Sequence, residues 1–315
     1  LTRFLVTGAS GLLGLNFALY TCQQHEVIGV VNQHALKHAP FAVQQLELNQ
    51  PGAARQLVQS VRPQVILHCA AMANVDACEN QPELAQRVNA ELPGELAALA
   101  AEFDCKMVHI STDAVFNGEK GNYSEEDVPA PLSVYARTKL AGEEAVLTAN
   151  PRAIVARVNF YGWSITGRRS LAEFFFSHLA ASENMKGFTD VHFCPLEVHD
   201  LSDLLLEMAA KDLLGIYHVV SSESLSKFEF GQRLARQFGL DASLIQPVSW
   251  RDAGLQAARS PELTLNTAKL KKVLQHDLPD QAHGMARFAQ SLSDGLPYVI
   301  RKMITQPQMD TDKHR

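Results

Sequence analysis

The chain has 315 residues, 46% hydrophobic and 20% charged, with a formal net charge of −6 and no long basic run. That length exceeds the usual size of one core, so one large or two intimately joined domains are expected, and the mild acidity leaves no electrostatic footprint for nucleic acid. Membrane spans and disulfide scaffolds are not indicated either. No apolar stretch approaches the roughly 20 residues a bilayer requires, and the first residues enter a strand pattern without a basic-then-apolar leader. The five cysteines (Cys22, Cys69, Cys78, Cys105, Cys194) are scattered without a CxxC pair, so a reducing, cytoplasmic location is the expectation.

In chain order, Arg3–Thr7 is a short β-rich run, followed by a glycine turn and a helical stretch over Leu15–Gln24. Strands are expected at Val27–Val31, Val65–Cys69, Met107–Ile110 and Ala153–Val158, and helices at Ala53–Ser60, Pro82–Glu102 and Ser133–Thr148. This β-α-β rhythm with continuous apolar strands predicts an α/β protein with a doubly wound parallel sheet covered on both faces. Beyond about residue 160 the rhythm weakens, with helices expected at Leu201–Ala210 and Phe228–Phe238 and a strand at Ile216–Val220. The expected organisation is a nucleotide-binding domain over 1–158 and a smaller lobe over 159–300, partly interleaved with the first. A polar tail is expected over 301–315.

The run Val6-Thr7-Gly8-Ala9-Ser10-Gly11-Leu12-Leu13-Gly14 lies between the first strand and the first helix. Gly8 suits a tight turn, Gly11 a close backbone approach to a pyrophosphate, and Gly14 close helix–strand packing. The helix start then offers amides and the favourable end of its dipole to phosphates. At the end of the second strand a carboxylate would bind the ribose 2′-hydroxyl of NAD. Asn32 stands there instead, with Gln33, His34 and Lys37 after it. That favours NADP, while Asn32 bonded to the ribose of NAD remains the alternative.

Tyr135 and Lys139 are four residues apart and share one helical face. A free phenol has a pKa of about 10, and a fixed cation beside it is expected to bring it toward neutrality. Ser111 and Thr112 end a buried strand at the carboxyl edge of the sheet, where ligands bind in such folds. Adjacent strand residues face opposite ways, so one of these two hydroxyls is expected to reach a substrate carbonyl. His192, His199 and His218 have no paired spacing, and no metal site is expected.

These residues resemble the extended short-chain dehydrogenase/reductase family over almost the whole chain. His68-Cys69-Ala70-Ala71 is similar to its HxAA strand end, Asn89 to its helix asparagine, and Arg157-Val158-Asn159-Phe160-Tyr161-Gly162 to its RxxNxYG stretch. Within the family the likeness is greatest to the dTDP-4-dehydrorhamnose reductases and the regulatory β-subunits of methionine adenosyltransferase. The segments 75–79, 111–118, 123–139, 215–218 and 259–270 carry it. The resemblance implies a Rossmann fold and NADP (or NAD) as cofactor, with Thr112 polarising a C4 ketone, Tyr135 as acid and Lys139 holding the nicotinamide ribose. It implies cofactor contacts at Gly8, Ser10, Gly11, Leu12, Leu13, Gly14, Asn32, Glu47, Leu48, Cys69, Ala70 and Ala71. It implies substrate contacts at Met72, Val75, Asp113, Ala114, Asn159, Phe160 and Arg259.

Met72 and Ala73 replace a tyrosine and a threonine of the reductase pattern, and Ala114 replaces the tyrosine of STDYVF. Glu262 would set a negative charge near a substrate diphosphate, an unfavourable meeting. The functions implied are reduction of a nucleotide-activated 4-keto sugar, 4-epimerisation with the same Tyr/Lys machinery, or a non-enzymatic cofactor-binding regulatory subunit. A 4,6-dehydratase would need an acid where Ala114 stands. A homodimer is expected through the Ala-rich face of Glu91–Ala101 and the helix carrying Tyr135.

Overall fold

In the computed structural model, which describes residues 1–211, 213–252 and 260–304, the continuous apolar runs become the strands of one parallel sheet. They are β1 (Arg3–Thr7), β2 (Glu26–Val31), β3 (Ala42–Gln45), β4 (Val65–His68), β5 (Lys106–Thr112), β6 (Ile154–Val158) and β7 (Gly215–Val219). The spatial order is β7-β6-β5-β4-β1-β2-β3 with every pairing parallel, a doubly wound, Rossmann-like order. β3 escaped the sequence reading because it is a polar edge: Ala42, Gln44 and Gln45 are exposed, so no apolar alternation marks it, as befits a strand that must not recruit another chain.

The sheet divides most of the interior into two cores, with a small third cluster around Phe116 and Tyr123. Along β1, Phe4 and Val6 enter one cluster while Leu5 enters the other, the alternation of a pleated strand. The helices α1 (Leu12–Thr21), α2 (Ala53–Val61), α3 (Val75–Asn80), α4 (Pro82–Gln86), α5 (Leu92–Glu102) and α6 (Val134–Ala149) fill the first half. They are followed by α7 (Leu171–Ala180), α8 (Val198–Ala210), α9 (Lys227–Phe238), α10 (Ala268–Leu274), α11 (Gln281–Ser293) and α12 (Leu296–Lys302). α2 and α5 close the smaller core, while α1, α7, α8, α9 and α11 close the larger. The chain therefore returns to the main sheet after residue 160, adding β7 beside β6. α12 corrects only the start of the expected tail: Arg301 and Lys302 form its basic last turn and Met303 is buried, while 305–315 lie outside the described residues. Among the described residues no helix is long and apolar enough to cross a membrane.

The long helix expected over 82–102 is interrupted by a π-helical turn at Arg87–Glu91. Pro93 supplies a cause. It has no N–H for the carbonyl four residues back and its ring crowds that carbonyl; the carbonyl in question is that of Asn89. The same carbonyl lies against α6 at Gly142, where a Cβ would sit 2.1 Å from it. Nearby, a Cβ on Gly94 would meet the Ala145 side chain at 3.0 Å. The Asn89 side chain accepts the Met72 amide at 2.8 Å, and its Nδ2 donates to the Met72 carbonyl and to Thr138 Oγ1, each at 3.1 Å. One asparagine thus joins the loop after β4 to the helix carrying Tyr135. Replacing Gly142 by alanine forces backbone apart at this junction. Gly142→Ala is expected to destabilise the fold by about 1–3 kcal/mol, read as a lower urea midpoint, and an unchanged midpoint would show that the contact relaxes freely.

Candidate active site

β1 ends at Thr7 and the chain turns at Gly8, whose φ of +66° lies in the left-handed region. A Cβ there would also stand 2.8 Å from the Ala70 backbone, so both conformation and space require glycine. The Gly11 N–H donates to the Gly8 carbonyl at 2.8 Å, and a Cβ on Gly14 would stand 2.4 Å from that same oxygen. Gly11 caps α1 without a side-chain bond, which leaves the first-turn amides of Leu12 and Leu13 without intrahelical acceptors. The Leu13 side chain itself is in the core, so its part in the turn is played by backbone. Arg169 reaches the loop from just before α7, its Nη1 donating to the Ser10 carbonyl at 3.4 Å.

A cavity of about 460 Å³ runs along this turn, lined by Gly8, Ser10, Gly11, Asn32, Glu47, Leu48, Cys69, Ala70, Ala71 and Met72, and also by Gln33, His34 and Arg169. At its far end the Asn32 amide donates to Glu47 Oε2 at 2.6 Å. The base lining this end is His34; Lys37 is not among the lining residues, and its backbone amide is bonded to the Met303 carbonyl. Thr7 Oγ1 accepts the Ala70 amide at 3.2 Å and lies 2.7 Å from His68 Nδ1, which ties the strand end to the loop bearing Cys69 and Ala70. Burial pushes the Cys69 thiol up to about 12 and the His68 imidazole behind it down to about 3, so both groups are neutral.

A second cavity of about 250 Å³ shares Cys69 and Ala71 with the first and is lined further by Ala73, Thr112, Asp113, Tyr135, Lys139, Asn159 and Phe160. The two strand-end hydroxyls separate as expected from alternation. Ser111 donates to Glu143 Oε1 at 2.5 Å, within a buried pair of Glu143 with Arg157. Thr112 faces the other way: its Oγ1 accepts the Ala114 amide at 3.2 Å, donates to Asp113 Oδ1 at 3.1 Å and shares the inner cavity with the Tyr135 phenol. Ser133 caps α6 by accepting the Ala136 amide at 3.2 Å, which sets Tyr135 in the first turn.

The electrostatics correct the expectation of a phenol drawn toward neutrality. Burial pushes Tyr135 up to about 12; the Thr112 bond works against this and the Asp113 charge works with it. Lys139 does not sit on the phenol. Its ammonium donates to the Ile110 carbonyl at 2.6 Å and lies 3.4 Å from His109 Nε2. Burial brings Lys139 down to about 8, with the Glu143 charge opposing. Asp113 is pushed up to about 6 by burial, against hydrogen bonds from Asn159 Nδ2, at 2.6 Å, and Thr112.

Outside Tyr135 lies a third cavity of about 270 Å³, lined by Val75, Asp76, Ala114, Tyr135, Phe188, Lys227, Trp250, Ser260 and Pro261. Phe188, Lys227, Trp250 and Arg169 carried no local motif, and they reach the site from distant segments. Arg259 lies outside the described residues. Glu262 is not among the lining residues; its carboxylate is 3.0 Å from His192 Nδ1 and accepts from Thr264 Oγ1 at 2.8 Å. Among the described residues no group of three or more His, Cys, Asp or Glu side chains is placed to hold a metal ion.

A glycine turn against an extended cavity, with a Thr/Tyr/Lys group at its inner end, defines the class: an extended short-chain dehydrogenase/reductase. The model of the RmlD substrate binding domain matches residues 2–293, and the chain belongs to that family. It is 32% identical over 294 residues to the probable low-salt glycan biosynthesis reductase Agl14 of Haloferax volcanii, covering 92% of this chain and 98% of the relative. It is 33% identical over 283 residues to the methionine adenosyltransferase 2 subunit beta of Pongo abelii, covering 85% and 81%. The crystal structure of dTDP-4-dehydrorhamnose reductase from Bacillus anthracis in complex with NADP superposes with a TM-score of 0.81 at 26% identity, covering 92% of this chain and 98% of that one.

Lys139 supplies a test of the site's electrostatics. Its folded value of about 8 lies below the 10.5 of a free lysine. The unfolded chain therefore binds the extra proton between those values, and stability rises with pH across that window. Relative to Lys139→Met, the native chain should gain about 1.4 kcal/mol per pH unit there, measured by urea unfolding at about pH 8 and pH 10. A difference independent of pH would contradict a desolvated, charged Lys139.

Proposed function

We propose that the chain is an NADPH-dependent reductase of a 4-keto sugar nucleotide. One observation carries the reading: among the described residues, Tyr135 alone lines both the inner cavity with Thr112 and Lys139 and the outer cavity with Val75, Lys227 and Trp250. A ketone entering from outside therefore meets the proton donor where the glycine-loop cavity ends. The residues present fit the cofactor, because the Gly8 and Gly14 positions exclude a Cβ and leave backbone for a pyrophosphate, with Arg169 beside it. No carboxylate ends β2, where Asn32, Gln33 and His34 line the cavity, which supports NADP over NAD, as does the NADP bound by the Bacillus anthracis reductase.

The reduced nicotinamide, when bound, supplies a hydride to the ketone carbon. Thr112 Oγ1 orients the carbonyl oxygen, and the Tyr135 phenol, held protonated by burial, gives it a proton. Lys139, turned from the Ile110 carbonyl toward a ribose, stabilises the phenolate left behind. Met72, Val75, Ala114 and Phe160 give the sugar an apolar surround, and Lys227 in the outer cavity offers a positive charge to a diphosphate. The proposed assembly is a homodimer, checked by sedimentation.

A second reading, a cofactor-binding regulatory subunit, is favoured by the place of the Lys139 ammonium on Ile110 and by the likeness to the transferase subunit. The two readings divide on NADPH consumption with a panel of 4-keto-6-deoxy sugar nucleotides. Turnover is expected, with Tyr135→Phe lowering kcat about 10²–10⁴-fold. Tight NADPH binding with no ketone reduced across the panel would overturn the reductase reading in favour of the regulatory one.

A further inference from the structure

Tyr135 is a donor that must be reloaded after each turnover, yet the Lys139 ammonium lies on the Ile110 carbonyl rather than on the phenol. Beside the phenol in the same inner cavity stands the Thr112 hydroxyl, which favours the ionised phenol, and what that hydroxyl touches is the Asp113 carboxylate at 3.1 Å. Asp113 is itself buried and lines the inner cavity. Its second oxygen takes the Asn159 amide at 2.6 Å. Phenol, hydroxyl and carboxyl thus stand in one file along the inner cavity, anchored at its end by an amide that has no proton to give to a base.

We propose that Asp113 is the proton reservoir that reloads Tyr135 through the Thr112 hydroxyl. This rests on the reductase reading. Once Tyr135 has given its proton to the ketone oxygen, the Asp113 O–H bond breaks and its proton passes to Thr112 Oγ1. The proton Thr112 held passes to the phenolate, and Asp113 is left as a carboxylate. That carboxylate is stabilised by the Asn159 amide and by the charge of Lys227. It regains a proton from water in the cavity, so protons balance and no electron moves.

The surroundings suit the task. Asp113 faces Asn159 at the end of β6, Lys227 at the start of α9, Tyr135 on α6 and the Cys194 thiol, which burial pushes up to about 11 and so keeps neutral. Burial outweighs the hydrogen bonds and the cation, and holds Asp113 at about 6. A carboxyl group there exchanges protons within the range in which an enzyme works. Thr112 therefore has two tasks, orienting the ketone and passing the proton.

The test is Asp113→Asn, which keeps the shape and cannot release a proton to the file. With NADPH and a substrate ketone, the first turnover uses the proton already on Tyr135. The variant should show a burst of one NADPH per site followed by a steady rate at least about tenfold lower than the parent. The parent's kcat should fall as pH rises through about 6, and the variant should lose that limb. An equal loss from burst and steady rate, with the limb retained, would mean a structural role and overturn the relay. A second readout needs no substrate: the Asp113 carboxyl carbon is followed by NMR titration in the parent and in Thr112→Val. The file predicts a parent value above the ordinary carboxylate range, moving higher in the variant as the Thr112 bond is lost. An ordinary value unmoved by the substitution would overturn the relay. If the parent reduces no ketone while the titration behaves as predicted, the file stands and the reductase reading fails.

Discussion

Asn89 is the joint on which the site depends. Its carbonyl finds no N–H at Pro93 and lies in the groove at Gly142, and its side chain closes on both backbone groups of Met72 and on Thr138. The cofactor-side loop after β4 and the helix that carries Tyr135 and Lys139 are therefore held in one register by a single buried side chain. Buried amides are costly to leave unpaired, so the two elements cannot slide without losing three hydrogen bonds together.

A second constraint separates stability from chemistry along β5. Alternation sends Ser111 into the Glu143–Arg157 pair and Thr112 into the cavity. The pair is desolvated, and Arg157 further lies over the Phe116 ring and 3.4 Å from His218 Nε2. Such a pair contributes little net free energy when intact, but breaking it strands a buried charge. Its value here is positional: it fixes the strand end from behind, so the hydroxyl in front has a defined place.

Some of this was legible in the residues themselves. The apolar runs Val65–His68 and Ile154–Val158, the glycine spacing from Gly8 to Gly14, and the i,i+4 pair of Tyr135 and Lys139 are local signals with local physical causes. The polar edge strand β3, the aromatic helix α7 and the π turn were not legible. Gln44 and Gln45 look like loop, three consecutive phenylalanines obscure a helical face, and a proline inside an Ala-rich helix does not announce where its carbonyl will be received. Site residues from distant segments, Arg169, Phe188, Lys227 and Trp250, have no pattern of their own.

By itself the sequence determined the apolar strands of the sheet, the glycine turn and the chemical identity of Thr112, Tyr135 and Lys139, because each follows from backbone periodicity, steric freedom or side-chain type at short range. Only the tertiary structure decided what those groups do to one another. It placed the Lys139 ammonium on a carbonyl, turned Glu262 onto His192, and set Asp113 behind Thr112 at the inner cavity. Burial and the partner of each charge arise from segments far apart in the chain, and those two quantities, not residue type, set where a proton resides.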